Sequence, residues 1–461
     1  MQVLKPGINN IFFHPARIMI FTFAMGILIG GSLLRLPISS VGHPVSWIDA
    51  FFTATSALCV TGLTVRDTGI QYSNFGQGVI LALMQIGGLG ITMYSSFFML
   101  LFGKSLSFRD RFMAKESLLG EISYLNLFSL VKNIIVITFI LESIAALVLM
   151  IRFSADMPIK AAVKFGVFHA VSAYCNAGFS LFPENLLGYS HDMVINIVIM
   201  TLIVLGGIGF PVLYELMHKF FNNRKREFSR MSLHCRITLI TTGCLIISGA
   251  VLLYFFEMLS PAHPNGINGI TMMQALFQSI TARTAGFNTV DISKLNNPSI
   301  FILIMLMFIG ASPASAGGGI KTTTFAIFLA LIRARLVGRE KVEVFKRTLP
   351  NEIVFKSLTL LVGSMILIIF FNIILQITET RFIPHNEIAG SFLETLFETT
   401  SAFATVGLSM GLTPNLTFGG KLAIMLLMFI GRVGPLTFAV ALSFKTVTRK
   451  YEYPEDSAMV G

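Results

Sequence analysis

The chain has 461 residues, of which 54% are hydrophobic and only 12% charged, with a mean hydropathy of +0.77. A soluble protein of this length needs more charge to coat its surface, so a large water-soluble domain is excluded. The net charge of +11 does not mark a nucleic-acid binder, because the basic residues cluster in short loops between apolar stretches, as the positive-inside rule requires.

Eight apolar stretches are long enough to cross a bilayer, which takes about 20 residues, and they fall into pairs. In chain order these are Ala16–Leu36 with Val79–Phe102, Leu130–Ile151 with Met193–His218, Ile237–Met258 with Ile300–Ile332, and Phe355–Ile377 with Leu422–Phe444. The first has no cleavage site after it and reads as a retained helix, not a signal peptide. Between the members of each pair lies a shorter semi-apolar stretch ending near a glycine: Trp47–Leu63, Val163–Phe179, Met273–Phe287 and Phe392–Leu408. Too short to span, each predicts a re-entrant half-helix and an extended loop. Such backbone survives at membrane depth only when buried in protein or lining a water-filled cavity.

The spacing repeats. Phe52, Phe168 and Phe397 each precede a loop glycine (Gly62, Gly178, Gly407) by ten residues, and Phe277 precedes Gly286 by nine. Ser56, Ser172, Thr281 and Ser401 hold matching positions after those phenylalanines. Each second span then breaks at glycine, at Gly87-Gly88-Leu89-Gly90, Gly206-Gly207-Ile208-Gly209, Gly310, and Gly431-Arg432-Val433-Gly434, which lies 24 to 28 residues beyond the loop glycine. Generic hydrophobic segments would not keep this register, so the chain consists of four duplicated units that share one site. The expected fold is an all-α polytopic membrane protein of four pseudo-symmetric helix–half-helix–helix repeats around a central pore. The units divide at 1–102, 103–218, 219–336 and 337–461.

Lys and Arg give the orientation. Lys104, Arg109, Arg111 and Lys115, then Lys219, Arg224, Lys225, Arg226 and Arg230, then Arg333, Arg335, Arg339, Lys341, Lys346 and Arg347 lie in loops between units, with Lys445, Arg449 and Lys450 in the tail. The opposite loops carry only a few, such as Arg66, Lys160, Lys294 and Arg381. Both termini are expected on the cytoplasmic side, with the re-entrant loops entering from outside.

The loop tips carry the chemistry. They read Val60-Thr61-Gly62, Asn176-Ala177-Gly178, Thr284-Ala285-Gly286 and Thr405-Val406-Gly407. The last is the start of a potassium-channel filter sequence, in which backbone carbonyls replace the hydration shell of the ion. No carboxylate occupies the tips, so selection by an acidic ring is not expected. One such glycine alone is as readily a plain turn; four in register are poorly explained that way. Half-helices entering from outside would also aim their partially negative C-termini at a cation.

The third unit departs from the others. Its second span is interrupted by Gly310-Ala311-Ser312-Pro313-Ala314-Ser315-Ala316-Gly317-Gly318-Gly319, followed by Ile320 and Lys321. Small residues, proline and consecutive glycines cannot hold a helix, so a mobile gate below the filter is expected, with a static kink as the alternative. A nucleotide P-loop fails, since Ile320 separates Gly319 from Lys321 and no strand precedes. Arg432, deep in an apolar run, is functional by default; pseudo-symmetry puts it level with Gly310, within reach of the loop's carbonyls. Arg283 and Glu398 stand near the tips as a candidate ion pair behind them. Asp49 and Glu394 begin half-helices, Glu142 reads as a satisfied core group and His169 as packing. The cysteines (Cys59, Cys175, Cys235, Cys244) have neither metal nor disulfide spacing, and no catalytic motif suggests an enzyme.

With these tips and this broken span, nearly the whole chain resembles the superfamily of bacterial Trk and Ktr and plant HKT potassium transporters. Within it the short start, about 15 residues before the first span, is most similar to the membrane subunits of Ktr systems. The resemblance implies filter glycines at Gly62, Gly178, Gly286 and Gly407, a gate at the unit-three loop and Arg432, and a bacterial inner-membrane location. Sodium-preferring HKT proteins carry Ser at the first filter position, where this chain has Gly62, so K+ is the expected cargo. The resemblance also implies Na+ as a coupling or activating ion, a lipid-embedded homodimer, and a cytoplasmic nucleotide-binding regulatory subunit. An alternating-access secondary cation transporter is the competing expectation, disfavoured because such carriers usually show two repeats, not four.

Overall fold

A computed structural model describes residues 15–89, 127–221, 231–259, 270–380, 383 and 390–442. Gly90, the rest of the predicted span to Phe102, most inter-unit basic residues of units one and two, Arg381 and the basic tail lie outside them.

The first unit comprises α1 (Pro15–Arg35), the half-helix α2 (Trp47–Leu58) and α3 (Asn74–Gly88). The second comprises α4 (Leu127–Phe153), the half-helix α5 (Ile159–Tyr174), and α6 (Met193–Ile208) followed by α7 (Phe210–Phe221). The third runs through α8 (Leu233–Met258), the half-helix α9 (Met272–Thr281), α10 (Asn297–Phe308) and α11 (Thr322–Leu336). A small hairpin of β1 (Glu343–Val344) and β2 (Arg347–Thr348) leads to the fourth: α12 (Asn351–Thr380), the half-helix α13 (Ser391–Ala404), α14 (Phe418–Val433) and α15 (Pro435–Leu442).

Among the described residues, α4, α8 and α12, the first spans of units two to four, are long and apolar enough to cross a membrane unbroken. The second spans of units two to four are not, because glycine interrupts them. Between α6 and α7 the axis turns by 103° at Gly209, whose φ of 98° suits glycine alone among common residues. Gly434, with φ 92°, makes the same break before Pro435, whose fixed φ suits the first turn of a new helix.

Helix starts recur as regularly as the breaks. The N-caps of α3, α6, α10 and α14 are Ser73, Asp192, Asn296 and Thr417, and each side chain accepts a first-turn amide at 2.8–3.3 Å. Acceptors of this type satisfy donors that the helix leaves open. The packing order between units is cyclic: α3 lies on α5, α6 on α9, α10 on α13, and α14 back on α2.

A buried carboxylate ties the last unit to the first. Asp49, in the first turn of α2, accepts Arg66 Nε at 3.0 Å and Lys421 Nζ, from α14, at 2.7 Å. Losing two charge-assisted bonds outweighs the modest value of an exposed ion pair. Asp49→Asn is therefore expected to destabilise the protein by roughly 2 kcal/mol, read as a lowered midpoint of heat-induced unfolding in detergent; an unchanged midpoint would show that the tie adds nothing.

Candidate ion-selective site

The half-helices end at the caps Cys59, Cys175, Ala282 and Thr405, no more than two residues before the tip sequences or within them. There the backbone turns left-handed at Val60, Asn176, Thr284 and Thr405 (φ 57°, 56°, 71° and 51°), and again two residues later at Gly62, Gly178, Gly286 and Gly407 (φ 88°, 71°, 79° and 93°). A chain alternating between the two hands turns successive carbonyls to one side. A non-glycine residue in this region costs about 1–3 kcal/mol, tolerated where the surroundings impose it.

They do so with the same bonds in every unit. The amide preceding each ring glycine donates to the carbonyl of Ser56, Ser172, Thr281 or Ser401, at 2.8, 2.7, 2.9 and 2.8 Å. Those residues also use their hydroxyls. Ser56 and Ser401 accept the amides of Gly62 and Gly407, both at 3.1 Å, while Ser172 and Thr281 donate to the carbonyls of Phe179 and Phe287 at 2.8 and 2.6 Å. The hydroxyl recurring after each half-helix phenylalanine is thus a clasp on the tip.

The four tips meet. A Cβ on Gly62 would lie 3.0 Å from Gly178 Cα, one on Gly178 2.9 Å from Gly286 Cα, one on Gly286 3.2 Å from Gly407 Cα, and one on Gly407 3.0 Å from Gly62 Cα. The contacts close a ring in chain order, with no space for a side chain at any corner. Above it opens a cavity of about 510 Å³ lined by the ring glycines and by Asp67, Glu184 and Asp291. Burial alone would raise the Asp291 carboxyl, but hydrogen bonds from Ser293 and Lys294 and the Lys294 charge outweigh it. The group is held below its usual range, hence ionised at neutral pH.

Beneath the ring lies the segment between α10 and α11. Gly317 and Gly318 press against the Thr284 and Thr405 side chains. The amides of Ser312 and Ala316 donate to the carbonyls of Gly207 and Gly206 at 3.0 and 3.2 Å, and Phe210 N donates to Ala314 O at 3.0 Å. Lys321 Nζ turns back to Gly317 O at 2.7 Å, and Ser315 Oγ to Ser312 O at 2.7 Å. Pro313 O abuts Gly209, and Gly310 packs on Gly318 O; Ala311 O accepts Thr322 N at 3.3 Å. Gly319 has φ 67°. Arg432, in the last turn of α14, donates to Ala316 O and to Gly87 O. One guanidinium thus joins units four, three and one below the ring.

The break glycines prove to be contact points as well. Gly87, Gly206 and Gly431 sit on the carbonyls of Leu58, Tyr174 and Phe403, each four residues before the ring glycine of its unit. Gly310 does not share this role, since it packs within its own loop.

The candidate ion pair does not form. Glu398 accepts the hydroxyls of Ser409 and Thr413, and Arg283 Nη2 reaches Thr242 Oγ1 at 3.4 Å. Arg283 turns to α8 and Glu398 to the segment beyond its own ring glycine, which spacing along the chain could not tell. Glu142 accepts Gln85 Nε2 at 3.2 Å, and His169 lies among Phe153, Phe165 and Phe182.

Four glycine tips closed into a ring under an acidic mouth, carried by broken apolar helices, point to the class of membrane cation transporters. The chain matches the model of the TrkH family, described as cation transport protein, over residues 15–452, and it belongs to that family; with its long apolar helices it is a multi-pass membrane protein. Among its relatives, the Ktr system potassium uptake protein B of Bacillus subtilis (strain 168) is 40% identical over 97% of both chains. The protein of the same name from Vibrio alginolyticus is 38% identical over 96% of this chain and 94% of that one. The potassium/sodium uptake protein NtpJ of Enterococcus hirae is 36% identical over the whole of both. The crystal structure of the potassium transporter TrkH from Vibrio parahaemolyticus superposes with a TM-score of 0.68 at 18% identity, covering 94% of this chain and 86% of that one. The fold is shared.

Proposed function

We propose that the chain is the potassium-translocating membrane subunit of a bacterial uptake system, a single pore formed by four units. The closed ring of Gly62, Gly178, Gly286 and Gly407 carries this reading. Four glycine-tipped strands at one axis supply carbonyl oxygens at fixed spacing, the means by which a cation is dehydrated without an acidic side chain. The names of the Ktr relatives support K+ as the cargo, and that of NtpJ supports a part for Na+.

Transport then proceeds by electrostatics and fit. Carboxylates at the outer mouth raise the local cation concentration. The ion exchanges water for carbonyls at Val60, Thr61, Gly62 and their counterparts Asn176, Ala177 and Gly178, Thr284, Ala285 and Gly286, and Thr405, Val406 and Gly407. Four half-helix C-termini, each bearing about half a negative charge, favour it there. Below, the loop Gly310–Gly319 with Lys321 occupies the route and Arg432 pins it, so passage requires the loop to leave its carbonyl and threonine contacts. A regulatory subunit that binds nucleotide on the cytoplasmic side is the natural agent of that motion, as the naming of the Ktr relatives as parts of a system suggests. On this reading the protein works as a homodimer in the bacterial inner membrane, with both termini cytoplasmic.

The test is growth. A strain lacking its own potassium uptake, given this chain with its regulatory partner, should grow at low external potassium where the empty strain does not. Failure with both proteins present at normal levels would remove the potassium reading.

A further inference from the structure

The residue after the half-helix phenylalanine is polar in every unit: Thr53, His169, Gln278 and Glu398. None is more than 1% exposed. A polar side chain buried that far is costly unless it is hydrogen-bonded, so the identity of its partner is informative.

Three of the four reach residues beyond the ring glycine of their own unit. Tyr72 Oη donates to Thr53 Oγ1 at 3.0 Å. His169 Nε2 lies 3.0 Å from Ser180 Oγ. Glu398 takes the hydroxyl of Ser409 on one oxygen and that of Thr413, at 2.9 Å, on the other. Ser180 and Ser409 each stand two residues past a ring glycine. Ser409 in turn accepts Gly411 N at 2.9 Å, and its oxygen lies 3.3 Å from Thr413 Oγ1, so the carboxyl group sits at the centre of a closed polar knot. Gln278 differs: neither of its amide atoms has a partner among the described residues.

These residues lie one helical turn before the hydroxyl clasps, at i and i+3, and so on the same helix face. In unit four, Ser401 holds Gly407 while Glu398 holds Ser409; in unit two, Ser172 holds Phe179 while His169 holds Ser180. The half-helix thus grips its rising strand at two points. A carbonyl ring that is to refuse a smaller ion must not close in around it, and resistance to closing comes from what stands behind the strands.

We infer that Glu398 and His169 are positioning residues for ion discrimination, holding the outgoing strands of units four and two so that the ring keeps the span of a potassium ion. The inference rests on the potassium reading above. Unit three lacks this second grip at Gln278, so stiffness behind the ring is unequal between units.

The experiment compares variants in the potassium-uptake-deficient strain with the regulatory partner present, reading initial K+ uptake, inhibition by Na+, and Na+ entry. Ser409→Ala and Glu398→Leu should each lower the preference for K+ over Na+ by about tenfold, the weight of one buried hydrogen bond. Glu398→Gln, which keeps an acceptor oxygen, should fall between, and Ser409→Thr should retain the parent preference. The double variant Glu398→Leu/Ser409→Ala should lose clearly less than the two singles combined, because both remove the bond between Glu398 and Ser409. Gln278→Met, which removes an amide without a partner, should stay within about twofold of the parent.

An unchanged preference in Ser409→Ala overturns the inference, as does a loss in Gln278→Met equal to that in Glu398→Leu, since bulk packing would then account for both. If Glu398→Leu does not reach the membrane, Ser409→Ala and Thr413→Val, smaller lesions in the same knot, decide. A parent chain that takes up no K+ overturns the potassium reading and this inference with it; a parent that transports while its variants do not differ overturns the inference alone.

Discussion

Replacing Gly407 by serine is expected to abolish growth at low potassium and to cut potassium uptake by at least about tenfold. Two independent penalties coincide there. The residue has φ 93°, a conformation costly for any residue with a Cβ. A Cβ would also run into the carbonyl of Thr61 in the neighbouring unit, and a backbone atom in a ring of four cannot move aside without deforming the next strand. The overlap is mildest at Gly178, where the nearest atom, Ala285 O, would lie 2.7 Å away. Gly178→Ser should therefore retain the most uptake of the four and Gly407→Ser the least. Gly78→Ala on α3, where nothing lies within 4 Å, provides the control and should match the parent. Uptake measured at equal membrane levels checks the order; equal losses at all four corners would show that the overlap does not govern it.

Arg432→Ala should raise basal potassium flux, by about tenfold when the regulatory partner is absent. The side chain donates to Ala316 O in the loop and to Gly87 O of unit one. Its loss cuts the hydrogen-bonded link from the loop to the first and fourth units and leaves it bonded to Gly206, Gly207 and Phe210 of unit two. It also removes a positive charge from beneath the glycine ring, where repulsion would oppose the passage of a cation. Both effects have the same sign. Arg432→Lys keeps the charge but cannot bridge two carbonyls with a rigid fork, so its flux should fall between; this separates tethering from repulsion. Flux in Arg432→Ala at or below the parent level would mean that the arginine does not hold the loop closed.

Much of the architecture was legible because it is periodic. Apolar length marked the unbroken spans α4, α8 and α12, and the recurrence of Phe, a hydroxyl and Gly marked the four tips that meet, since similar segments repeat the same local requirements. The glycines of the ring were legible for the same reason, and the broken third unit because proline and glycine act on their own backbone. Contacts between units were not. Arg432 was picked out by its cost in an apolar run, yet its reach to Gly87 depends on how unit one packs against unit four. The pairing of Arg283 with Glu398 failed likewise: proximity to a tip along the chain does not say towards which helix a side chain leans. The clasping role of Ser56, Ser172, Thr281 and Ser401 was visible only as a recurrence, because which amide a hydroxyl reaches is set by the turn that follows. The set Thr53, His169, Gln278 and Glu398 left no compositional trace, since its members share burial and position but not chemistry.

The tie between Asp49 and Lys421 joins residues 372 positions apart, and the glycine that completes the ring beside Gly62 comes 345 residues later. At the pace of translation, roughly 5–20 residues per second, the first loop waits about 20 to 70 s for its neighbour. Throughout that interval the nascent chain carries an unfinished polar centre in the bilayer, with Asp49 lacking its lysine partner. Ordered insertion of the early units must tolerate that exposure, and any premature stop before α14 leaves a product that cannot close. Quality control of this protein therefore has a simple criterion, because the second span of the fourth unit is what seals the first unit.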